Sequence, residues 1–281
     1  MTLGGTRSSS GTKAMLFQLL VVLLFVEQVK NVPVVDVKTL PMGNVQPETL
    51  EEIVSDRIEL VEGDMLMSIG TDLSGIQNRN KRTDRNAVGD SWPTTALPYE
   101  ISPEIKHRTD DVIAAMAMVS EHTCITFHRR EPTEKNYVLF EISNGCAAHV
   151  GFMGGQQSVF VGPSCNVGNI AHEILHSLGF QHEHTRLDRD DYIEIVQSNI
   201  IPGMEKNFKK MSGKTFSVPY DYSSIMHYGR SFFSSNGKPT IIPKQTVKEM
   251  GQRNKLMETD IKKILLLYNC DSLKVKPDVE S

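Results

Sequence analysis

No segment of this 281-residue chain is apolar for long enough to cross a bilayer comfortably. The run from Ala14 to Val26 has about thirteen residues, broken by Gln18, whereas a spanning helix needs about twenty. No run of lysine and arginine exceeds a few residues and the net charge is −4, which removes the footprint of a phosphate-driven nucleic-acid partner. There is no Asn-x-Ser/Thr sequon, so N-glycosylation is not expected. Tryptophan occurs once, at Trp92, and cysteine four times, at Cys124, Cys146, Cys165 and Cys270. Four cysteines allow three pairings, and their spacing does not choose among them.

What remains is the balance of a soluble globular protein, 39% hydrophobic and 23% charged, long enough for a prosegment and one domain of ordinary size. The run Ala14–Val26 follows a polar stretch carrying Arg7 and Lys13, so it reads as the apolar part of a signal peptide, with Met15 as good a start as Met1. Secretion would make the cysteines disulfide candidates. Val34 to Arg85 lacks a strong core signal; the charged stretch Glu48–Glu59 suggests one short helix in a prosegment. Residues 77–85 are rich in Asn, Arg and Lys, an exposed linker suited to proteolysis after Arg82 or Arg85.

The stretch with the most chemical content is His172-Glu173-Ile174-Leu175-His176-Ser177-Leu178-Gly179-Phe180-Gln181-His182-Glu183. Two histidines four apart share a helix face and can grip one metal ion. Glu173 can reach a water at that ion without ligating it. Gly179 lets the helix stop and reverse, returning His182 as a third ligand. Three neutral nitrogens leave one tetrahedral position open, the signature of a catalytic zinc site with one Zn²⁺ per chain. About forty residues on stands Ser224-Ile225-Met226-His227-Tyr228.

With these two elements the chain resembles the astacin family of metzincin endopeptidases. The signature H-E-x-x-H-x-x-G-F-x-H-E-x-x-R-x-D-R-D is met at every fixed position through Arg186, Asp188, Arg189 and Asp190, and so is the Met-turn S-x-M-H-Y. The likeness runs from Asn86 to Cys270 and leans towards the hatching-enzyme branch, although the extra N-terminal cysteine pair of many such members is missing here.

The resemblance implies an α+β fold: a twisted, mostly parallel sheet with an antiparallel edge strand, a long active-site helix, and a cleft between upper and lower subdomains. It implies a signal peptide over 1–29, a propeptide over 30–85 and a catalytic domain over 86–281. It implies a secreted zinc endopeptidase, made as a zymogen and matured by an activating protease, acting as a monomer on extracellular or egg-envelope proteins without a stable membrane anchor. His172, His176 and His182 would hold zinc and Glu173 would act as general base. Tyr228 would be a fifth ligand at rest and then an oxyanion donor, and Met226 would form the floor of the site. Val61-Glu62-Gly63-Asp64 resembles the pro-region F-x-G-D element, with Asp64 as the zinc-blocking switch and Val61 where Phe is usual. Glu183 would pair with the new amino terminus at Asn86. The disulfides implied are Cys124–Cys270 and Cys146–Cys165. Lys244 and Arg230 are candidates for a basic P1′ pocket. The alternative is an inactive extracellular binding protein on the same scaffold.

Periodicity adds local expectations: strands at Leu97–Ser102, Cys124–His128 and Tyr137–Ile142, a long helix Ile105–His122, partly helical structure in 192–208, and a last helix Leu256–Tyr268 with a polar tail beyond. Residues 154–161 read as a turn and a strand, by resemblance the edge strand along the cleft, where an extended substrate adds itself. His184 is expected to face solvent, and His227 to belong to the packing of its turn.

Overall fold

The computed structural model describes residue 49, residues 58–68 and residues 91–273. The apolar run Ala14–Val26, the candidate cuts at Arg82 and Arg85, the mature start at Asn86 and most of the expected prosegment helix lie outside the described residues.

Among the described residues nine strands form two sheets: β1 Ile58–Val61, β2 Met65–Ser68, β3 Ala96–Ile101, β4 Thr126–Arg129, β5 Tyr137–Ile142, β6 Ala147–His149, β7 Gln156–Val161, β8 Ile193–Ile195 and β9 Ile241–Pro243. The larger sheet runs β1-β2-β6-β7-β5-β3-β4. The β7/β5, β5/β3 and β3/β4 pairs are parallel, and β6 runs antiparallel to β7. The fold is therefore α+β, a mostly parallel sheet with an antiparallel strand towards one edge. In the parallel part, Val138, Phe140, Val159 and Val161 are buried, as expected of strands covered by helices.

One expectation needs correction. Gln156–Val161 is not the edge strand, because it pairs with β5 on one side and β6 on the other. Without residues 58–68 the edge is the short Ala147–His149, to which β2 adds in parallel through Met65 and Leu66. Three residues, Ala-Ala-His, carry too little pattern to read as a strand, and the glycine turn before Gln156 points to the wrong neighbour.

Two helices cover the sheet's apolar face. The segment expected as one helix from Ile105 to His122 is a 3₁₀ turn, Pro103–Arg108, followed by α1, Thr109–Ser120. Ile105 leaves helical geometry inside the 3₁₀ segment (φ −106°, ψ 18°) and Arg108 does so at the junction (φ −103°, ψ 11°), which breaks the axis. Its apolar spacing still holds for Ile105, Val112, Met116 and Val119, which are buried, whereas Ile113 is exposed. The second helix, α2, Val167–Ser177, packs beside α1, and residues Gly168 to Ser177 are all buried. The last helix, α3, spans Glu258–Leu267, and a short helical turn, Cys270–Leu273, stands where a polar tail was expected to begin. The 192–208 region is mainly β8 and two 3₁₀ turns, with β8 pairing β9 in the small sheet.

The core falls into two clusters. The first, around Leu97, Phe140, Ile170, Ile174 and Met226, lies between the sheet and α1 and α2. The second gathers Phe208, Tyr220, Tyr222, Tyr228, Phe232 and Phe233. Cys124–Cys270 ties the segment just before β4 to the helical turn after α3, and Cys146–Cys165 ties the residue before β6 to the approach to α2. His172 stands among residues of the first cluster and Tyr228 belongs to the second, so the candidate site lies where the clusters meet.

Candidate metal centre

Helix α2 begins with a reciprocal cap: the Asn166 side chain accepts from Asn169 N (3.0 Å), and Asn169 Oδ1 accepts from Asn166 N (3.1 Å). It ends in a Schellman arrangement, with Phe180 N donating to Leu175 O (3.0 Å) and Gly179 N to His176 O (2.8 Å). Gly179 takes φ +107°, which a side chain would strain. This reversal returns the chain to His182, three residues past Gly179, and His182 meets the two helical histidines. Glu183 N then donates to Met226 O (2.9 Å), tying the His182 segment to the Ser224–Tyr228 turn.

The three imidazoles converge with Asp64, one ligand atom from each lying within 4.8 Å of the others. Their outer nitrogens are fixed. His172 Nδ1 donates to Ile225 O (2.8 Å), His176 Nδ1 to Phe180 O (2.7 Å) and His182 Nδ1 to Glu62 Oε2 (2.6 Å). Carbonyl and carboxylate oxygens accept, so the protons sit on Nδ1 and the Nε2 lone pairs face inward. His172 Nε2 is 3.0 Å from His176 Nε2 and 3.2 Å from His182 Nε2, with no proton left to share between them. Asp64 Oδ2 is 3.3 Å from His172 Nε2 and 3.2 Å from His182 Nε2. A tetrahedral ion with ligands at about 2.0–2.1 Å sets ligand–ligand edges of about 3.3 Å. Asp64 Oδ1 is buried with no hydrogen-bond partner among the described residues. The donor set therefore fits one Zn²⁺, held by three nitrogens and a carboxylate.

Electrostatics agree. Burial, reinforced by Arg253 and by His176, keeps His172 well below the usual imidazole range. Burial and His182 bring His176 down to about 3, and burial with Arg253 lowers His182. Neutral imidazole is the metal-binding form. Burial and the Asp64 carboxylate push Glu62 well up, a cost that a cation at the site would offset.

Glu173 is buried, and its charge is among those that raise the Tyr228 phenol, after burial and the Asp64 and Glu62 carboxylates. Tyr228 is fully buried; its ring stacks on His184 (centroids 3.8 Å) and Phe232 (4.5 Å), and its hydroxyl donates to the Glu62 carbonyl. Met226 is buried in the first core cluster and directly follows Ile225, whose carbonyl orients His172. His227 accepts from Tyr220 Oη at Nε2 (2.7 Å) and donates to Tyr228 O (2.7 Å), a packing role as expected.

His184 does not face solvent. It is wholly buried against Tyr228, and its Nε2 meets Asn207 O at 3.0 Å. The short 3₁₀ turn Glu183–Thr185 folds it inward. Arg230 and Lys244 are exposed; Lys244 donates to the Asp190 carbonyl, and Arg230 accepts at its own carbonyl from Thr240 and Ile241. Glu183 is bound by Arg186 (2.8 Å), by Asp221 N (3.1 Å) and by Lys263.

Sequence reasoning passes over three residues here. Glu62 stands inside the Val61–Asp64 motif but has no role assigned by it. Lys263 sits beside the apolar stripe of α3, and nothing in the sequence singles it out. Asp260 is buried, receiving Ile225 N (3.1 Å) and the Ser224 hydroxyl, so it pins the Met-turn to α3. No one-dimensional signal marks either of the last two.

The family model for the astacin peptidases matches residues 84–269. The chain is 39% identical over 219 residues to zinc metalloproteinase nas-4 of Caenorhabditis elegans, an alignment covering 74% of this chain and 69% of that protein. It is 43% identical over 191 residues to nas-15 of the same organism, covering 66% of this chain but only 34% of the relative. Among solved structures it is similar to high choriolytic enzyme 1 of Oryzias latipes, with 40% identity, a TM-score of 0.61, and coverage of 65% of this chain and 94% of the other.

Proposed function

The chain belongs to the astacin family of zinc metalloproteinases, and from that premise we propose that it is a secreted endopeptidase made as an inactive precursor. The observation that carries the reading is the convergence of three Nε2 lone pairs and one Asp64 oxygen within 4.8 Å. The proposed division is a signal peptide over 1–29, a propeptide over 30–85 and a catalytic domain over 86–281, cleaved by an activating protease at Arg82 or Arg85. His172, His176 and His182 are the proposed permanent ligands, and Asp64 occupies the fourth place until the propeptide leaves.

Zinc supplies Lewis-acid activation of water and of the scissile carbonyl when bound. Glu173 accepts the proton that the attacking water loses and delivers it to the departing amine. Tyr228, released from the Glu62 carbonyl once the propeptide is gone, offers its hydroxyl to the oxygen on which negative charge develops. In the uncleaved chain burial and the Asp64 and Glu62 carboxylates hold that proton in place. Met226 floors the site. The β6 edge, vacated by Met65 and Leu66, offers an extended substrate the backbone groups that β2 uses. Arg230 and Lys244 are the proposed readers of an acidic residue after the cut. Glu183 is the proposed partner of the new amino terminus, which would join Arg186 and Lys263 there.

Extracellular or egg-envelope protein is the proposed substrate class; the similar medaka protein is described as a hatching enzyme. The competing reading, an inactive binding protein on this scaffold, has against it that Glu173, Tyr228 and all three histidines stand together. The deciding experiment is Glu173→Gln in the matured chain. Hydrolysis should fall by about 10²–10⁴-fold with zinc content unchanged; full activity in that variant would refute the mechanism.

A further inference from the structure

We infer that Glu62 is a positioning residue for the metal centre, so that residues 58–68 bring two carboxylates to zinc, one as ligand and one through His182, and the uncleaved chain binds zinc more tightly for it. This rests on the zinc reading proposed above and deepens it.

Glu62 is 1% exposed, and each of its polar groups is committed to the domain it lies on. Its N–H donates to Asn207 Oδ1 (3.1 Å), its carbonyl accepts from the Tyr228 hydroxyl, and its Oε2 accepts from His182 Nδ1 (2.6 Å). The backbone there is left-handed, φ +55°, which a residue with a Cβ adopts at a cost of about 1–2 kcal/mol. Gly63 follows at φ +81°, with Phe233 Cζ only 2.7 Å from where its Cβ would stand. The turn is thus pressed against the site with no slack, and what it secures is the placement of Glu62 and Asp64.

The chemistry asks for both. A dication enclosed by groups 0–6% exposed needs compensating charge, and three neutral imidazoles bring none. Asp64 supplies one negative charge directly. Glu62 supplies the second across the imidazole, holding the Nδ1 proton of His182 and raising the basicity of its Nε2, as outer carboxylates do for metal-bound histidines. His172 and His176 lean instead on neutral backbone carbonyls, so His182 is the one of the three whose outer partner is a carboxyl group. Loss of the segment removes both charges together and leaves the ion more electrophilic.

The test measures zinc dissociation constants of the purified uncleaved chain by competition with a chromophoric chelator, alongside the melting temperature of the metal-free chain. Glu62→Gln keeps an acceptor for His182 Nδ1 and removes only the charge; its affinity should fall about tenfold, and that of Glu62→Ala by up to about a hundredfold. The metal-free melting temperature of Glu62→Gln should hold or rise, because one of two neighbouring carboxyls has gone; a purely structural role predicts that it falls with zinc affinity untouched. If Glu62→Gln binds zinc as tightly as the parent while Asp64→Asn is weakened, the inference about Glu62 is overturned and the metal site stands. If the parent chain itself takes up no zinc, the underlying reading of the site fails instead.

Discussion

Lys263, on the last helix, donates its ammonium to Glu183, the residue that follows His182, and both side chains are buried, at 5% and 2% exposure. The pair joins α3 to the loop that carries His182 across 80 positions of chain. Burial alone would push the Glu183 carboxyl up, but Lys263 and Arg186 outweigh it and hold it below its ordinary value. Replacing Lys263 with Met leaves a buried carboxylate with one cation fewer. Stability should fall by about 3 kcal/mol, measured by urea unfolding. A loss well under 1 kcal/mol would mean that Arg186 alone neutralises Glu183.

The five buried histidines His172, His176, His182, His184 and His227 all have lowered pKa values, chiefly through burial, with His176 near 3 and His227 near 4. The unfolded chain protonates such groups near their ordinary pKa of 6.5, while the folded chain does not. Stability is therefore full above about pH 6.5 and is lost as pH falls towards the folded values, at about 1.4 kcal/mol per pH unit for each histidine. Urea unfolding of the chelator-treated chain at about pH 7.5 and about pH 5.5 should show a steep drop. A flat profile across that interval would contradict the burial of neutral rings.

The two disulfides close loops of very different length, 146 and 19 residues apart in sequence. In the chain-entropy picture the longer contributes about 5 kcal/mol and the shorter about 3 kcal/mol. The Cys124→Ser/Cys270→Ser double variant should consequently melt below Cys146→Ser/Cys165→Ser. Reversal of that order would show that the contacts around Cys146 outweigh loop closure.

Gly168 sits in the first turn of α2 with the backbone of Arg253 against it; a Cβ would lie 1.8 Å from the Arg253 carbonyl oxygen. Backbone yields less readily than a side-chain tip. Gly168→Ala should destabilise by about 1–3 kcal/mol and loosen the helix that carries His172 and His176. Both effects are measurable, by melting temperature and by zinc affinity. An unchanged melting temperature would mean that the 251–254 loop gives way freely.

Much of the fold is legible because buried parallel strands and a capped helix leave local marks. Tyr137–Ile142 is a strand as its apolar run suggests, and α2 gives way to the reversal that Gly179 suggests, whereas the Asn166 cap at its start emerges only in the structure. Ile105–His122 is legible only in part: its apolar spacing survives a kink, since a 3₁₀ turn and the α-helix after it can present one apolar side. Ala147–His149 is not legible, because its identity as the edge comes from pairing with β7 and β2 rather than from its own three residues. The burial of His184 is hidden for the same kind of reason. It is set by Tyr228 and Asn207, far along the chain from the histidine they cover.

The sequence by itself determined which groups can bind metal and move protons. The i, i+4 histidines, the glycine reversal and the Met-turn are short-range patterns whose geometry follows from helix pitch and allowed φ. Tertiary structure alone decided what surrounds them: that Glu62 holds the outer nitrogen of His182, that Lys263 and Arg186 share Glu183, and that Asp260 anchors the turn under His172. The Glu62–His182, Lys263–Glu183 and Asp260–Ile225 partners lie 120, 80 and 35 positions apart along the chain. A buried charge is satisfied by whichever group packing brings within about 3 Å, and no local rule of the sequence fixes that choice.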